Sequence, residues 1–428
     1  MTTSKIPTTA VPGEPTEATT APAPRMRRMS FRLLMVYVAI LAVNSGGNGI
    51  LLPNIVAGID EAGKIGNLAI VTTVAFVANI FAQPIAGALS DATRSRFGRR
   101  TPWMVAGALL TGGFVLGLPM AQSVFTVALV WLVVQVGVNV LQAAATAVVP
   151  DRYPAARRGG VSAMIGVGIT IGNAVGVTVA GSTAGQGSLP YVVLAGLVVL
   201  VVGVFVVVNR DEPSTHLPHE RTGAREFLRG FWVSPRQHPD FAWAFASRFL
   251  MVIGFFGAQT FGLYILRDYI GLGDEESNSF AATMGVVLLV GVLLSASVSG
   301  WLSDRVGRRK PFIVWSSVVM SIALAVPLAV PTTTGVLVYS FLLGLGFGAY
   351  ISIDLALMTE VLPARLGGGS AGRDLAILGL ATTVPQAMSP SIAAGLVTLT
   401  GGYPVLFVSG IVFVMLGAVA IRRVKAVR

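Results

Sequence analysis

Gly87-Ala-Leu-Ser-Asp-Ala-Thr-Arg-Ser-Arg-Phe-Gly-Arg-Arg-Thr-Pro102 is a polar, strongly basic string wedged between two long apolar runs, 66–89 and 103–121. Four arginines and an aspartate so close together cannot lie in hydrocarbon. The flanking runs can, because about 20 mainly apolar residues suffice for a helix to cross it. The string therefore reads as a loop at a membrane face. Working outward, ten further apolar runs follow the same pattern, giving twelve expected spans: roughly 33–54, 66–89, 103–121, 124–149, 161–182, 189–208, 241–266, 279–302, 311–330, 333–358, 371–398 and 402–421. The runs are continuous, whereas the strands of a membrane barrel alternate over about ten residues. The expected fold class is an all-α membrane protein.

Composition supports this from another side. Of 428 residues, 54% are hydrophobic and 11% charged, with a mean hydropathy of +0.76. A water-facing domain carries about a quarter charged residues, so the outer surface of this chain must meet lipid. The net charge of +11 is topogenic, not a nucleic-acid patch. Numbering the spans in order, 27 of the 30 basic residues fall in the tail, in the loops after even-numbered spans, or at the C-terminal end. The opposite side holds only Lys64 and Arg267, and Arg248 lies inside span seven. Lys and Arg favour the cytoplasmic side. Both termini are therefore expected in the cytoplasm, with the chain in the plasma (inner) membrane. Residues 1–30 read as a disordered cytoplasmic tail. They are followed by a six-helix bundle over 31–208, a cytoplasmic linker over 209–240, a second bundle over 241–421 and a short C-terminus, 422–428.

The loop string recurs. Gly300-Trp-Leu-Ser-Asp304, then Gly307-Arg-Arg309, repeats Gly87-Ala-Leu-Ser-Asp91 and Gly98-Arg-Arg100; Glu360-Val-Leu-Pro363 repeats Asp151-Arg-Tyr-Pro154. The offsets, 213 residues at the aspartates and 209 at the later points, argue for an internal duplication. Many secondary transporters are built from such repeats, with the solute between them. In this arrangement the sequence resembles the major facilitator superfamily, whose signature loop has the pattern Gly-x-Leu-Ser-Asp followed by Gly-Arg-Arg between spans two and three. The longer string Ser90–Pro102 resembles sucrose transporters and the glycoside–pentoside–hexuronide cation symporters. The resemblance implies two pseudo-symmetric six-helix bundles (the major facilitator fold), alternating access and a monomer. It also implies a latch of the outward-facing state made by Gly87, Asp91, Arg99, Arg100, Gly300, Asp304, Arg308 and Arg309. A carboxylate at such a helix end can accept from free amides of a neighbouring helix N-terminus, and Gly87 and Gly300 would let helices approach closely. The alternative is a solvated charged turn that only fixes topology.

Within the spans, ionisable groups are scarce and expensive. Arg248 in span seven and Asp354 in span ten each lie within about eight residues of the cytoplasmic end, so an ion pair is geometrically reasonable. Asp354 could carry a coupling proton, or bind substrate hydroxyls, with Arg248 setting its pKa. The pair could equally be static, or Arg248 could reach to the surface. Asp374, beside Arg373, is a further candidate partner or a helix cap. Gln135, Asn139 and Gln142 share one face of span four and suit a polyhydroxylated ligand, or else tie helices together. Asn48, Asn173, Gln259 and Gln386 are similar single signals, and Tyr350, one turn before Asp354, could stack on a sugar ring. In span five, Gly172 is followed by Asn173 and not by the proline typical of drug–proton antiporters. The symporters' usual acid inside a first-half span is missing, which points any coupling to Asp354.

Cysteine is absent and the three histidines share one loop, leaving no thiolate metal site and no nucleophile–His arrangement. No Walker-type loop occurs, so no cofactor and no direct use of ATP is expected. Enzyme, channel and transporter-derived sensor are the remaining classes, each without a supporting feature. The favoured function is proton-coupled transport of a sugar or glycoside across the bilayer, against export of a small organic molecule or drug.

Overall fold

The computed structural model describes residues 23–215, 239–306, 308–361 and 371–424. All described elements are helical. We number twelve long helices in chain order: α1 Met26–Ile59, α2 Lys64–Ala92, α3 Thr101–Gly117, α4 Val124–Arg152, α5 Ala155–Thr183, α6 Leu189–Val208, α7 Pro239–Thr260, α8 Asp274–Val306, α9 Lys310–Ala329, α10 Thr333–Val361, α11 Ala371–Thr400 and α12 Pro404–Arg422. Eleven are long and apolar enough to span a membrane. The other, α11, has the length, but Thr382, Thr383, Gln386, Ser389 and Ser391 together with Pro385 and Pro390 dilute its hydropathy. The helix leading into α1 begins at Ala23, inside the expected tail, and residues 1–22 lie outside the described part. Pro239 opens α7, so the expected linker is described only at its edges.

The two halves use the same pairings. In the first, α4 packs on α2 and α3, α6 on α1 and α3, and α5 on α1; in the second, α10 packs on α8 and α9, α12 on α7 and α9, and α11 on α7. The two most extensive contacts between the halves are α2 with α11 and α5 with α8, and the duplication exchanges one for the other. Apolar side chains such as Phe81, Leu200, Leu294 and Val412 remain exposed on the outer faces, as a lipid solvent requires.

Glycines set the closest crossings. On α5, a Cβ at Gly172 or Gly176 would stand 2.6 or 2.2 Å from the α1 carbonyls of Val38 and Ala42, so the two backbones touch. Gly344 and Gly348 of α10 are pressed on α8 in the same way. Gly87 behaves otherwise: a Cβ there would meet open space, and at Gly300 only an ordinary contact with Ser352, so the close approach expected at these two positions is not made in this arrangement.

The α1–α5 seam yields a test. Gly176→Ala must push α5 off α1 and is expected to cost about 1–3 kcal/mol by overpacking. Gly166→Ala, on the same helix but facing open space, is expected to be neutral. Thermal unfolding of the two purified variants in detergent measures the difference.

Candidate functional site

An even number of crossings puts both chain ends on one side, called here the terminal side; the other is the far side. On the far side the halves are tied together. Asn54, near the end of α1, donates to Asn278 of α8 at 2.9 Å and accepts from Arg267, which also pairs with Asp274 at 3.1 Å. Lys64, at the start of α2, bridges Glu61 at 2.6 Å and Asp268 at 2.9 Å. The Tyr403 hydroxyl donates to Asp268 at 2.5 Å, and the Tyr264 hydroxyl to the Pro53 carbonyl at 2.9 Å. Burial, reinforced by the neighbouring Asp268, pushes the Tyr403 phenol well above its ordinary pKa, so it stays a donor. Below this layer Thr73 and Ser391 share a hydrogen bond of 2.8 Å between α2 and α11. A Cβ on Gly181 of α5 would stand 2.3 Å from the Asn278 carbonyl of α8. Towards the terminal side, Gly166 of α5, Gly87 of α2 and Gly379 of α11 face open space. Among the described residues the hydrogen bonds between the halves thus gather towards the far side.

The terminal-side charges tie the first half to itself. Asp151 receives Arg99 at 2.5 Å and Arg100 at 2.8 Å, while Arg100 also pairs with Asp91 at 2.5 Å and donates to Ser90 at 3.0 Å. Burial alone would lower the Arg100 pKa, but Asp151 and then Asp91 outweigh it and the value is raised, so the cation is secure. The amide at the head of α3, that of Arg100, is taken at 3.0 Å by Asp211. Asp91, the expected acceptor, pairs with a side chain instead. Asp211 also holds Arg152 at 2.8 Å and fills the space where Gly98, with its positive φ of 83°, would carry a Cβ. Ser214 exchanges backbone and side-chain bonds with Ser95. In the second half Arg308 is exposed and Arg309 half-buried, and the Asp304 side chain lies outside the described residues.

Inside the bundle, α7 divides its circumference. Ser247, Met251 and Gly254 pack on α12 and the Ile253 carbonyl accepts from Ser389 of α11. Arg248 and Phe255 turn to α10. The Arg248 Nη1 lies 3.3 Å from the Asp354 Oδ2, and both side chains are largely buried, at 15% and 7% exposure. The pair expected from matched depth therefore forms, and Arg248 does not reach for the surface. Two turns nearer the far side Phe255 stacks on Phe347, centroids 3.9 Å apart. Tyr350 lies between the two levels, buried, with its hydroxyl beside the Asp354 carboxylate. Neighbouring Phe249, Phe256, Gln259 and Thr260 are half-buried, on the remaining arc of α7. Arg373 and Asp374 have side chains outside the described residues.

The first half repeats this joint in neutral form. Tyr37 of α1 and Thr146 of α4 share a hydrogen bond of 2.6 Å. Arg248 lies 211 residues after Tyr37 and Asp354 208 after Thr146, close to the offset of the repeat. Beside this joint lie amides. Asn139 donates to Asn79 of α2 at 2.6 Å, so this member of the span-four stripe ties helices together. Gln135 is fully buried with both amide atoms unpartnered. Asn48 donates to Asn44 at 2.7 Å while its own Oδ1 is left over. It sits in the π-helical turn Gly47–Leu51, at whose first residue the Trp131 ring of α4 occupies the place of a Cβ. Gln142 and Gln386 are half-buried; Asn173 is exposed, and its backbone carbonyl serves Ser45.

A family model described as Major Facilitator Superfamily matches residues 34–372, and again residues 275–427. The chain belongs to the Major Facilitator Superfamily. The paired six-helix halves are the fold of that family. Among solved structures it is similar to a bacterial homolog of the human lysosomal transporter Spinster (TM-score 0.71, 15% identity, covering 94% of this chain and 97% of that one). It is also similar to the peptide transporter POT in complex with sulfate (TM-score 0.71, 14% identity, 93% and 95%). These likenesses concern the fold alone. Among curated proteins it is 30% identical over 123 residues to the niacin transporter NiaP of Acinetobacter baylyi, covering 28% of each chain. It is 26% identical over 163 residues to the putative metabolite transport protein YdjK of Escherichia coli, covering 36% of this chain and 35% of that one. The mouse solute carrier family 22 member 20 is 32% identical over 109 residues, 25% of this chain and 18% of that one. The matched stretches thus span about a third or less of these relatives.

The far-side ties predict a conformational shift. The natural chain has no cysteine, so Val177→Cys on α5, beside Gly285 of α8 beneath the tied end, gives one reporter. Adding Asp268→Ala should speed its labelling by a maleimide applied from the far side about fivefold, a coupling near 1 kcal/mol. An unchanged labelling rate would show that the Lys64–Asp268 bridge does not hold the halves together.

Proposed function

We propose that this family member moves a small polar solute across the bilayer by alternating access, driven by protons, with Asp354 carrying the proton and Arg248 governing its release. One observation carries the proposal: a buried Arg248–Asp354 pair, 3.3 Å apart, stands where the other half is held by a neutral Tyr37–Thr146 bond. The joint between these helices can be made without charge. Placing a charged pair in hydrocarbon has a net desolvation cost, which a switchable carboxylate justifies and a static brace does not. Asp354 releases its proton when Arg248 is close and holds one when Arg248 is engaged elsewhere.

The far-side ties correspond to one limb of the cycle, open on the terminal side. The bias of 27 basic residues to 2 makes that side cytoplasmic and fits the plasma (inner) membrane. The Asp91–Arg100–Asp151 cluster, joined here only within the first half, is available to latch the halves in the opposite state. The unpartnered amides of Asn48 and Gln135 offer donors and acceptors to hydroxyls, which suits the sugar or glycoside suggested by the Ser90–Pro102 string. A second reading, export of a small organic molecule, is favoured by similarity to a protein named for efflux, the fujikurins efflux protein of Gibberella fujikuroi (26% identical over 210 residues).

Proteoliposomes carrying an imposed pH gradient test the coupling. Wild type is expected to accumulate solute, and Asp354→Asn to lose accumulation while keeping exchange of solute for solute. Accumulation by Asp354→Asn at the wild-type level would remove Asp354 from the coupling role.

A further inference from the structure

We propose that the transported solute bears a single carboxylate, which seats on the Arg248 guanidinium in place of Asp354, with the body of the solute against Tyr350 and the Phe255–Phe347 stack. This rests on the coupling role given to Arg248 and Asp354 above, and adds the chemical class of the solute.

The first support is how poorly Arg248 is served. A guanidinium offers five N–H donors in a planar fork. Asp354 meets it through one oxygen at 3.3 Å, and the buried Nη1 has no hydrogen-bond partner. Charge-assisted bonds usually run about 2.7–2.9 Å. The same chain makes such bonds elsewhere: Asp151 takes Arg100 at 2.8 Å and Asp211 takes Arg152 at 2.8 Å. An arginine left half-met in a low-dielectric interior is poised for a second planar oxyanion, and its fork matches a carboxylate on two oxygens.

Charge balance points the same way. Among the described residues, Arg248 and Tyr350 are the charged or titratable side chains beside Asp354. When an incoming carboxylate occupies Arg248, Asp354 loses its counter-charge and takes up one proton. One carboxylate and one proton then cross together, and the site is neutral both empty and loaded. A neutral polyol would leave the Arg248–Asp354 pair intact and gives no reason for a buried cation. The surroundings supply the remainder. The Tyr350 hydroxyl stands beside Asp354 and is freed when Asp354 takes up its proton, and the half-buried Phe347, stacked on Phe255, offers an apolar edge nearer the far side.

The test is equilibrium binding of radiolabelled benzoate, glucuronate and glucose to the purified protein in detergent, at about pH 5.5 and about pH 7.5, where both acids stay ionised. At least one carboxylate is expected to bind, roughly tenfold tighter at the lower pH; benzoate marks a flat apolar body and glucuronate a sugar acid. Asp354→Asn should bind the same carboxylate with no difference between the two pH values. Arg248→Lys should weaken binding about tenfold or more, since an ammonium lacks the fork. Arg248→Gln combined with Asp354→Asn makes this joint neutral, as the Tyr37–Thr146 joint of the other half is, so it should fold and bind neither acid. Binding of glucose alone, of none of the three, or of a carboxylate equally well by Arg248→Lys overturns the proposal. The two failures separate cleanly. A pH gradient that drives glucose and no carboxylate sinks the solute class and spares the coupling. Arg248-dependent carboxylate binding, together with gradient-driven accumulation by Asp354→Asn, sinks the coupling and spares the class.

Discussion

Hydrocarbon cannot solvate a charge or complete a hydrogen bond, and nearly every feature of this molecule answers to that deficit. The backbone satisfies it by coiling into twelve long helices, so that each amide finds its partner four residues away. Side chains satisfy it by turning inward. Asn139 finds Asn79, Tyr37 finds Thr146, and Arg248 finds Asp354. Each of these bonds crosses from one helix to another, so the same shortage of partners that forbids lone polar groups also decides which helices stay adjacent. Exceptions are informative for that reason: among others, Asn48 and Gln135 carry buried polar atoms that nothing among the described residues meets.

Duplication supplies the second organising element. Five helix pairings recur in the two halves, and the two most extensive contacts between the halves exchange under the repeat. The chemistry within this shared frame has diverged. Where the first half places amides and a phenol–hydroxyl bond, the second places a cation, an anion and two stacked rings. The frame can keep its geometry while its lining changes because the closest crossings rest on glycines against backbone carbonyls, as at Gly172 and Gly176 or at Gly344 and Gly348, away from the lining.

Much of this was legible in the sequence, since the longest-range signals are also the simplest. Apolar runs near 20 residues fixed the spans, and the sidedness of arginines and lysines gave their order. Depth counted along two spans was enough to match Arg248 with Asp354. The tied far side was not read, although Lys64 and Arg267 were visible as the two basic residues out of place; nothing local told that both reach across to the other half. Asp211 was missed because it follows span six, more than a hundred residues from the amide it accepts, whereas Asp91 stands close by in the chain. Asn139 was weighed as cavity lining or helix tie, and only the position of Asn79, sixty residues earlier, decides. The open space at Gly87 depends on which state of the cycle the halves occupy, and a sequence encodes every state at once.

The stitching of residues 211–214 to the loop beyond α2 has a further consequence. Asp211 and Ser214 make the chain beyond α6 part of the first body, with Arg100, Arg152 and Ser95 as its anchors. Two polypeptides made separately, divided beyond residue 215, would each keep their own set of five pairings. They would meet again along α2 with α11 and α5 with α8, so that covalent continuity contributes proximity more than shape.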